Sequence, residues 1–581
     1  MFNVFNPWDD EGSFLVLLRT YMEGHPDHSQ LFGPFFYQVM DGVFRVFGLS
    51  ITNDNGRIVT LVIWLLGSLI GGTGVLVLTR NLWLAVAGEF ITFHALSALT
   101  NEPMHPEGLV SLLLVGLIAI AANRSHSPRR TSLLIGAVVA ALALTKINVG
   151  VLAALAAAFA FAPTVFNGRA RQVALAITGL ALVAAPLILT AGLFDLEWAR
   201  DLAFVVALSA ALITIAGFVA APKSRPRMDA VWLLAGGVGV VTLSLGIEAI
   251  GGLRPSDLIG SASIALKFTQ VNPLPFPAGI SEVAWAAAWL VVGAGILLGR
   301  IGARASPAIP AFFRVAVGAF TLLSVLLLPS YFLVLALPLV WVAVLAPAGD
   351  HENPTDPSLR ILVAALAVME ILMAYPVSGS QLWIAAAVLV PVGAITFNDG
   401  LRQLRAWAAD RHSRSFLTVA ASLSPGALIV SLAVWPLFVF YAASAYAIGE
   451  PLGLPGTDLI RVPRSQASTL RSLVHAIDQD CTGLISMPGL PSLNLWTGRA
   501  GIAQLNPWMF SLDSAQQQSI VTQIRDQPGL CVVVSPTLVD FWAGGRPVPR
   551  RPLVEYIDTA FQPVGTFGIY ELRINRPATQ P

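Results

Sequence analysis

Three consecutive acidic residues near the start of the chain are the first candidates for chemistry. They stand in the segment Trp8-Asp9-Asp10-Glu11-Gly12, beside a great deal of hydrophobic sequence. A carboxylate can act as a general base that takes a proton from a hydroxyl group as this group attacks an electrophile. The alternative is structural, because Asp favours helix N-caps and acidic residues favour the first turn of a helix.

The segment 101–107 contains a second cluster of titratable residues, namely Glu102, His105 and Glu107. Glu107 opens a hydrophobic segment, where a negative charge suits the N-terminal end of a helix. His105 could donate a hydrogen bond to an anionic ligand. Clustered acids and histidines also suggest a metal site, but no ligand spacing such as HExxH is present. We therefore predict no cofactor; a divalent metal stays open as an alternative, although no motif indicates one.

Lys146 is the third candidate, in the segment Leu144-Thr145-Lys146-Ile147-Asn148. A lysine within a hydrophobic stretch is costly and is usually retained for a partner or an anionic ligand. The alternative is that its ammonium group extends to the membrane surface. The segment 251–282 adds further charged residues, Arg254, Asp257 and Lys267.

The composition shows what must position these residues. Of 581 residues, 55% are hydrophobic and 12% are charged, and the mean hydropathy is +0.73. Soluble domains carry about 25% charged residues. The hydrophobic residues form blocks of about the 20 residues that a helix needs to cross a bilayer, such as Ile58–Thr79, Gln172–Gly192, Leu202–Ala221, Val231–Ile250 and Ala427–Ile448. We expect an all-α polytopic membrane domain. No basic tract is interleaved with aromatic residues, and no nucleic-acid partner is predicted.

The distribution of Lys and Arg predicts the topology, because these residues collect in cytoplasmic loops. Basic connections, such as 123–131 and 401–414, alternate with connections that contain few Lys and Arg residues. The alternation is consistent over about 14 membrane helices if two short helices meet near Lys146–Asn148. The three candidate clusters then lie on one side, which is extracytoplasmic.

Three regions follow from this topology. Residues 1–57 form an external acidic loop, in which Ser13–Gly24 and Leu31–Gly48 are amphipathic and are expected to lie along the membrane surface. Residues 58–449 form the polytopic transmembrane domain. Residues 450–581 have the composition of a soluble domain and are expected to be extracytoplasmic.

The C-terminal region has the pattern of a small α/β domain. Helices are predicted over Arg464–Gln479 and Ser514–Arg525, and strands over Gly483–Met487, Leu530–Ser535 and Phe567–Ile574. Cys481 and Cys531 are the two cysteines of the chain, and each stands at the start of a strand. Neighbouring parallel strands would bring them together, so on the external side we expect a disulfide rather than two buried free thiols.

Several short motifs resemble those of membrane glycosyltransferases of the GT-C class. The similarity is greatest to the RgtA/B/C/D-like and protein O-mannosyltransferase-like group. Asp10–Gly12 resembles the acidic motif of the first external loop, and Leu31–Tyr37 resembles the (Y/F)GPxxY stretch that follows it. Pro106–Leu109 stands where relatives often have Arg-Pro-Asp, and Ala143–Gly150 resembles an xxTKQNxG turn. The resemblance covers roughly residues 5–400, and the first 150 residues carry its most specific motifs.

The resemblance implies transfer of a sugar, a hexose or a pentose, from a polyprenyl-phosphate donor. The acceptor would be a glycan, lipid or protein of a bacterial cell envelope, on the external face of the inner (plasma) membrane. Inversion by a single displacement is expected, with Asp10 as the general base and Glu11 orienting the acceptor or shaping the charge. A cation would stabilise the leaving phosphate, with Lys146 the first candidate, then His105 and Lys267. The remaining expected substrate-binding residues are Asp9, Tyr37, Glu107 and Asn148.

Two features depart from the pattern of these relatives. Relatives have a membrane helix before the acidic loop, whereas Met1 lies close to that loop here. We therefore expect a missing hydrophobic segment of about 20 residues upstream. The second acidic motif reads His-Pro-Glu, which leaves the role of Glu107 open.

Two other functions remain compatible with the sequence. A transporter or flippase of lipid-linked saccharides would place polar residues near the bilayer midplane, where the candidates are Glu89, His94, Glu248 and Glu370. A non-catalytic assembly protein would bind a partner through its external domain. It would keep its function after Asp10→Asn.

Overall fold

The computed structural model describes residues 1–24, 33–123, 127–221, 228–252, 278–299, 306, 308–326, 331–347, 356–375, 381–410, 414–499, 514–543 and 551–575. Two short helices come first, α1 (Asp10–Met22) and α2 (Pro34–Val46). Asp9 caps α1 by accepting a hydrogen bond from the backbone N–H of Gly12. Pro34 begins α2, because a proline at this position loses no helical hydrogen bond. Both helices were predicted, and their position along a membrane stays a prediction.

The membrane domain follows as a bundle of apolar helices. Its helices are α3 (Asn53–Thr79), α4 (Leu82–Ser97), α5 (Glu107–Ala122), α6 (Pro128–Thr145), α7 (Ile147–Val165), α8 (Gly168–Thr190), α9 (Glu197–Ala220), α10 (Ala230–Ile250), α11 (Ile280–Leu297), α12 (Ala308–Leu326), α13 (Tyr331–Ala336), α14 (Pro357–Met369), α15 (Gln381–Asp410) and α16 (Arg414–Ile448).

The described part of the chain contains 11 helices that are long and apolar enough to cross a membrane, together with two shorter apolar ones. This pattern is that of an integral membrane protein. The predicted count of about 14 membrane helices is not confirmed. The two shorter apolar helices are Glu107–Ala122 and Tyr331–Ala343.

The predicted meeting of two helices near Lys146 is present. Helix α6 ends at Thr145 and α7 begins at Ile147, so Lys146 is the single extended residue between them. The turn is tight: a Cβ atom on Gly150 would lie 2.2 Å from backbone atoms of Ala143. A side chain at position 150 would therefore push the two helices apart.

A buried ion pair holds three helices of the bundle together. The Arg360 guanidinium of α14 donates two hydrogen bonds to the Asp399 carboxylate of α15, at 2.6 and 3.1 Å. Arg314 of α12 lies 3.6 Å from the same carboxylate. Within a bilayer such charges persist where they pair with each other. The three helices are therefore fixed in one arrangement.

The C-terminal domain is a small α/β unit. It contains the strands β1 (Glu450–Pro451), β2 (Arg461–Val462), β3 (Gly483–Met487), β4 (Leu530–Val534), β5 (Phe561–Phe567) and β6 (Tyr570–Asn575), and the helices α17 (Arg464–Asp480), α18 (Ser492–Thr497), α19 (Ser514–Ile524), α20 (Pro536–Ala543) and α21 (Pro552–Ala560). The main sheet has the order β3-β4-β6-β5. Strands β3 and β4 are parallel, whereas β6 is antiparallel to both of its neighbours.

The sequence interpretation of this domain was incomplete at its end. It predicted one strand over Phe567–Ile574, whereas the chain forms a hairpin of β5 and β6. The first strand of the hairpin was missed because Gln562, Pro563 and Gly565 interrupt the apolar alternation that indicates a strand. Cys481 and Cys531 form a disulfide bond. The pairing of β3 with β4 places Cys531 opposite Leu484, three residues after Cys481.

Candidate functional site

Asp9 is held at the contact between α1 and the C-terminal domain. Its carboxylate accepts hydrogen bonds from the backbone N–H of Gly12 at 3.0 Å, and from the backbone N–H and the hydroxyl of Ser492 at 2.6 and 2.7 Å. Burial raises the pKa of Asp9 to about 7, although these hydrogen bonds act to lower it. Asp9 therefore caps α1 and connects this helix to the C-terminal domain.

Asp10 is different, because its side chain is only half-buried. Within the described part of the chain, its carboxylate receives no hydrogen bond from a protein group. Burial, and next the negative charge of Glu102, raise the pKa of Asp10 to about 8, whereas His105 acts to lower this pKa. Asp10 is therefore the acid of the three whose carboxylate receives no hydrogen bond from the described residues and whose proton affinity is raised most.

Glu11 forms a buried ion pair with Arg57 at the start of α3. The Nε and Nη2 atoms of Arg57 donate to the two carboxylate oxygens of Glu11, at 2.9 and 2.6 Å. Arg57 also donates to the backbone oxygen of Val4 at 2.8 Å. Both oxygens of Glu11 are thus occupied, and the pair ties α1 to α3.

Three charged side chains form an ion cluster beside this segment. The Lys146 ammonium donates to the Oε1 atom of Glu107 at 2.5 Å, and Nδ1 of His105 lies 3.3 Å from the Oε2 atom. Glu107 is fully buried, whereas the Lys146 side chain is 16% exposed. The cluster joins the N-terminal end of α5 to the junction of α6 and α7.

The surroundings of His105 favour its protonated form. Burial lowers the pKa of its imidazole, but Glu107, Glu102 and Asp10 together raise that pKa above its ordinary value. The ring also packs edge-on against Phe14 of α1, with ring centroids 4.9 Å apart. Lys146, Glu107 and His105 thus place two basic side chains around one carboxylate close to Asp10.

Gly33 brings α2 against the junction that carries Lys146. Its backbone N–H donates to the carbonyl oxygen of Thr145 at 3.0 Å. A Cβ atom on Gly33 would lie 1.9 Å from the carbonyl oxygen of Leu144, so only glycine fits. The Gly-Pro stretch and the Thr-Lys turn, which the sequence presents as separate motifs, are therefore in direct contact.

An apolar groove of about 230 Å³ lies between α2 and α10. It is lined by Phe35, Gln38, Val39, Val240, Leu243, Ser244 and Ile247. At the polar end, the hydroxyl of Tyr21 and the amide of Gln38 donate to the Glu248 carboxylate, at 2.6 and 2.7 Å. Helix α2 starts beside Thr145, next to Lys146 of the ion cluster. The groove therefore lies along a helix whose N-terminal end is adjacent to the ion cluster.

The structure brings Asp9, Asp10, His105, Glu107 and Lys146 to one end of the bundle. Of the other predicted binding residues, Tyr37 is buried against Tyr21, with ring centroids 5.9 Å apart, and Asn148 is half-buried in the first turn of α7, two residues after Lys146. Lys267 lies outside the described residues, as do Arg254 and Asp257. The assignment of roles to these residues stays a prediction.

Sequence reasoning missed Ser492 and Arg57, the partners of Asp9 and Glu11. Each partner lies far along the chain from its acid, by 483 residues for Ser492 and 46 for Arg57. One signal was available. Gly12 has no room for a Cβ atom, which would lie 2.4 Å from the backbone nitrogen of Ser492. A glycine directly after three acids indicates that another backbone approaches them closely.

Acidic and histidine side chains are also metal ligands. Among the residues that the structure describes, no group of three or more His, Cys, Asp or Glu side chains is arranged to hold a metal ion. The ion cluster has instead two cations around one carboxylate. This arrangement suits an anionic ligand that carries oxygen atoms.

No protein-family model and no curated protein matches this sequence. Among solved structures, the chain is similar to the archaeal oligosaccharyltransferase AglB from Archaeoglobus fulgidus in complex with an inhibitory peptide and a dolichol-phosphate. The identity is 11%, the match covers 98% of this chain and 71% of that one, and the TM-score is 0.41. The apo form of the oligosaccharyltransferase of the same organism is similar at 12% identity, with 99% and 71% coverage and a TM-score of 0.40. These likenesses are too distant to support a function.

Proposed function

We propose that this membrane protein is a glycosyltransferase of the GT-C class. It transfers a sugar from a polyprenyl-phosphate donor to an acceptor of the cell envelope on the external membrane face. The observation that carries the proposal is the half-buried Asp10, whose carboxylate receives no hydrogen bond from the described residues, beside the cluster of His105, Glu107 and Lys146. A base and a site for an anionic leaving group are the two parts that such a displacement needs.

The reaction is a single displacement. A hydroxyl oxygen of the acceptor attacks the anomeric carbon of the donor sugar, and Asp10 takes the hydroxyl proton. The bond from the anomeric carbon to the phosphate oxygen breaks, and its electron pair leaves with the polyprenyl phosphate. Attack opposite the leaving group inverts the anomeric configuration.

The cationic cluster stabilises the leaving group. The donor phosphodiester carries one negative charge and the released phosphate monoester carries up to two. Lys146 and His105 offset the charge that develops, and their interactions strengthen in a site from which water is partly excluded. Glu107 fixes both cations in position. Glu11 acts through Arg57, as a positioning residue that holds α1.

The apolar groove between α2 and α10 accommodates part of the polyprenyl chain. Leu243 and Ile247 are 67% and 45% exposed, and they face a groove that is almost entirely apolar. Each CH₂ group that leaves water for such a surface contributes about 0.8 kcal/mol. A lipid chain in this groove would have its phosphate near the start of α2, which lies beside Thr145 and Lys146.

A transfer assay tests the proposal. Purified protein in lipid nanodiscs is incubated with radiolabelled polyprenyl-phosphate hexoses and pentoses, together with cell-envelope extract as the acceptor. We expect one donor to yield labelled acceptor, and Asp10→Asn to reduce this transfer by at least a hundredfold. Asp41→Asn is the matched control, since it removes only an exposed ion pair with Arg45 on α2. Transfer that persists in Asp10→Asn would remove Asp10 as the base.

The same nanodisc protein, moved into vesicles, separates the transporter hypothesis from the enzyme. A flippase moves labelled lipid between leaflets without forming a glycosylated acceptor. Movement of the lipid that survives Asp10→Asn, with no labelled product from any donor, would favour transport and contradict our proposal.

A further inference from the structure

The contact between α1 and the C-terminal domain is more than a packing surface. Asp9, the residue before Asp10, receives two hydrogen bonds from Ser492 in addition to that from Gly12. Its backbone is in the left-handed conformation, with φ +47°. A non-glycine residue adopts this conformation at a cost and holds it where the surroundings fix it. Here the surroundings are the backbone and hydroxyl of Ser492.

Ser492 is itself held by a polar chain that leads back to the membrane domain. The side-chain amide of Asn53, the first residue of α3, donates to the Ser492 hydroxyl at 3.3 Å. The indole N–H of Trp496 donates to the Asn53 side-chain oxygen at 3.0 Å. Asn53 and Ser492 are fully buried, and Trp496 nearly so. The polar groups thus satisfy each other in a site closed to water.

Aromatic contacts surround the chain of hydrogen bonds. The rings of Phe5 and Trp496 lie 5.1 Å apart, and Trp8 stacks on Phe541 of α20 with ring centroids 6.0 Å apart. The side-chain amide of Gln466 donates to the backbone oxygen of Phe5 at 2.8 Å. The C-terminal domain therefore contacts the chain at Phe5 and at Trp8, which precede the acidic residues.

We propose that the C-terminal domain positions the base, with Ser492 as the positioning residue that acts on Asp10 through Asp9. This inference rests on the proposed function. Asp10 is the first residue of α1, so its carboxylate moves with the cap at Asp9. Displacement of a reacting group by about 1 Å can cost about a hundredfold in rate. The external domain is thus part of the catalytic apparatus although it donates no group to the substrate.

The test uses the full-length protein and a matched pair of buried serines in the same domain. Ser492→Ala removes one of the three hydrogen bonds to Asp9. Ser486→Ala removes a hydroxyl that accepts from the backbone N–H of Leu490 at 2.6 Å, without contact to Asp9. We expect Ser492→Ala to lower kcat about tenfold while the donor KM changes by less than twofold. Ser486→Ala should leave both constants unchanged when kcat is calculated per folded protein molecule.

A second variant keeps the inference testable if Ser492→Ala does not fold. Trp496→Phe keeps an aromatic ring but removes the N–H that holds Asn53, and should lower kcat about threefold with the same KM. An unchanged kcat in both Ser492→Ala and Trp496→Phe would overturn the inference. Equal losses of kcat in Ser492→Ala and Ser486→Ala would overturn it as well. If Asp10→Asn abolishes transfer and Ser492→Ala does not affect it, the inference fails and the proposed function stands.

Discussion

At the scale of single residues, the three adjacent acids have three different environments. Asp9 is enclosed by Ser492 and Gly12, and Glu11 is paired with Arg57 through both oxygens. Of the three, only Asp10 is half-buried rather than buried, and no hydrogen bond from the described residues reaches its carboxylate. These different environments are the reason that we propose Asp10, and not Asp9 or Glu11, as the base.

Replacement of Lys146 tests the leaving-group site. Lys146→Met removes the ammonium group that contacts Glu107, and we expect kcat to fall about 10²–10³-fold, as for the loss of one group that stabilises a developing anion. Lys146→Arg keeps the charge and should retain more activity. Steady-state transfer kinetics measure both. A Lys146→Met enzyme with unchanged kcat would place the phosphate elsewhere.

Glu11→Gln tests the role of the buried ion pair. Loss of this partner leaves the Arg57 charge buried without compensation, which costs about 3–5 kcal/mol. We expect a clearly lower thermal unfolding midpoint in nanodiscs, and a loss of transfer that follows the loss of folded protein. Asp41→Asn, at an exposed pair worth about 0.3–0.5 kcal/mol, is the control. A Glu11→Gln protein as stable as this control would contradict the structural role.

At the scale of elements, helix ends assemble the site. The start of α1, the start of α5, the start of α2 and the junction of α6 and α7 converge at one end of the bundle. The sequence predicted the junction at Lys146 and the two short helices, because these depend on local signals. It could not predict that Gly33 touches Leu144, since this contact depends on how α2 lies on α6.

Gly33→Ala tests this contact. Gly33 has an ordinary backbone conformation, with φ −70°, so the effect of an added Cβ atom comes from space alone. Overpacking of this kind costs about 1–3 kcal/mol, and the shift of α2 should also reduce transfer. Gly42→Ala is the control, because nothing lies within 4 Å of its added Cβ. Equal melting temperatures for the two variants would show that α2 does not lie against the junction.

At the scale of the whole molecule, a hydrophobic core separate from that of the membrane bundle joins α1 and the adjoining ends of the membrane helices to the C-terminal domain. This core includes Leu15 and Leu18 of α1 together with Leu470, Leu493 and Trp496 of the C-terminal domain. Composition predicted the two domains separately. The contact between them was beyond sequence reasoning, because no local pattern relates position 9 to position 492.

Loss of the disulfide should affect the distant site through this contact. The bond between Cys481 and Cys531 closes a loop of 50 residues, which contributes about 4 kcal/mol in the chain-entropy model. We expect Cys481→Ala with Cys531→Ala to loosen the C-terminal domain, seen as faster limited proteolysis, and to reduce transfer. If proteolysis shows that the C-terminal domain is loosened and the transfer rate is unchanged, the domain does not contribute to catalysis.

The pH dependence of the transfer step tests the assignment of Asp10 most directly. Because the pKa of Asp10 is raised to about 8, its base form increases about tenfold per pH unit below that value and is complete above it. Single-turnover rates of the intact protein should rise with this slope from pH 6 and level off near pH 8, and the slope should vanish in the residual activity of Asp10→Asn. A pH-independent rate in the intact protein, or the same rise in Asp10→Asn, would contradict the account.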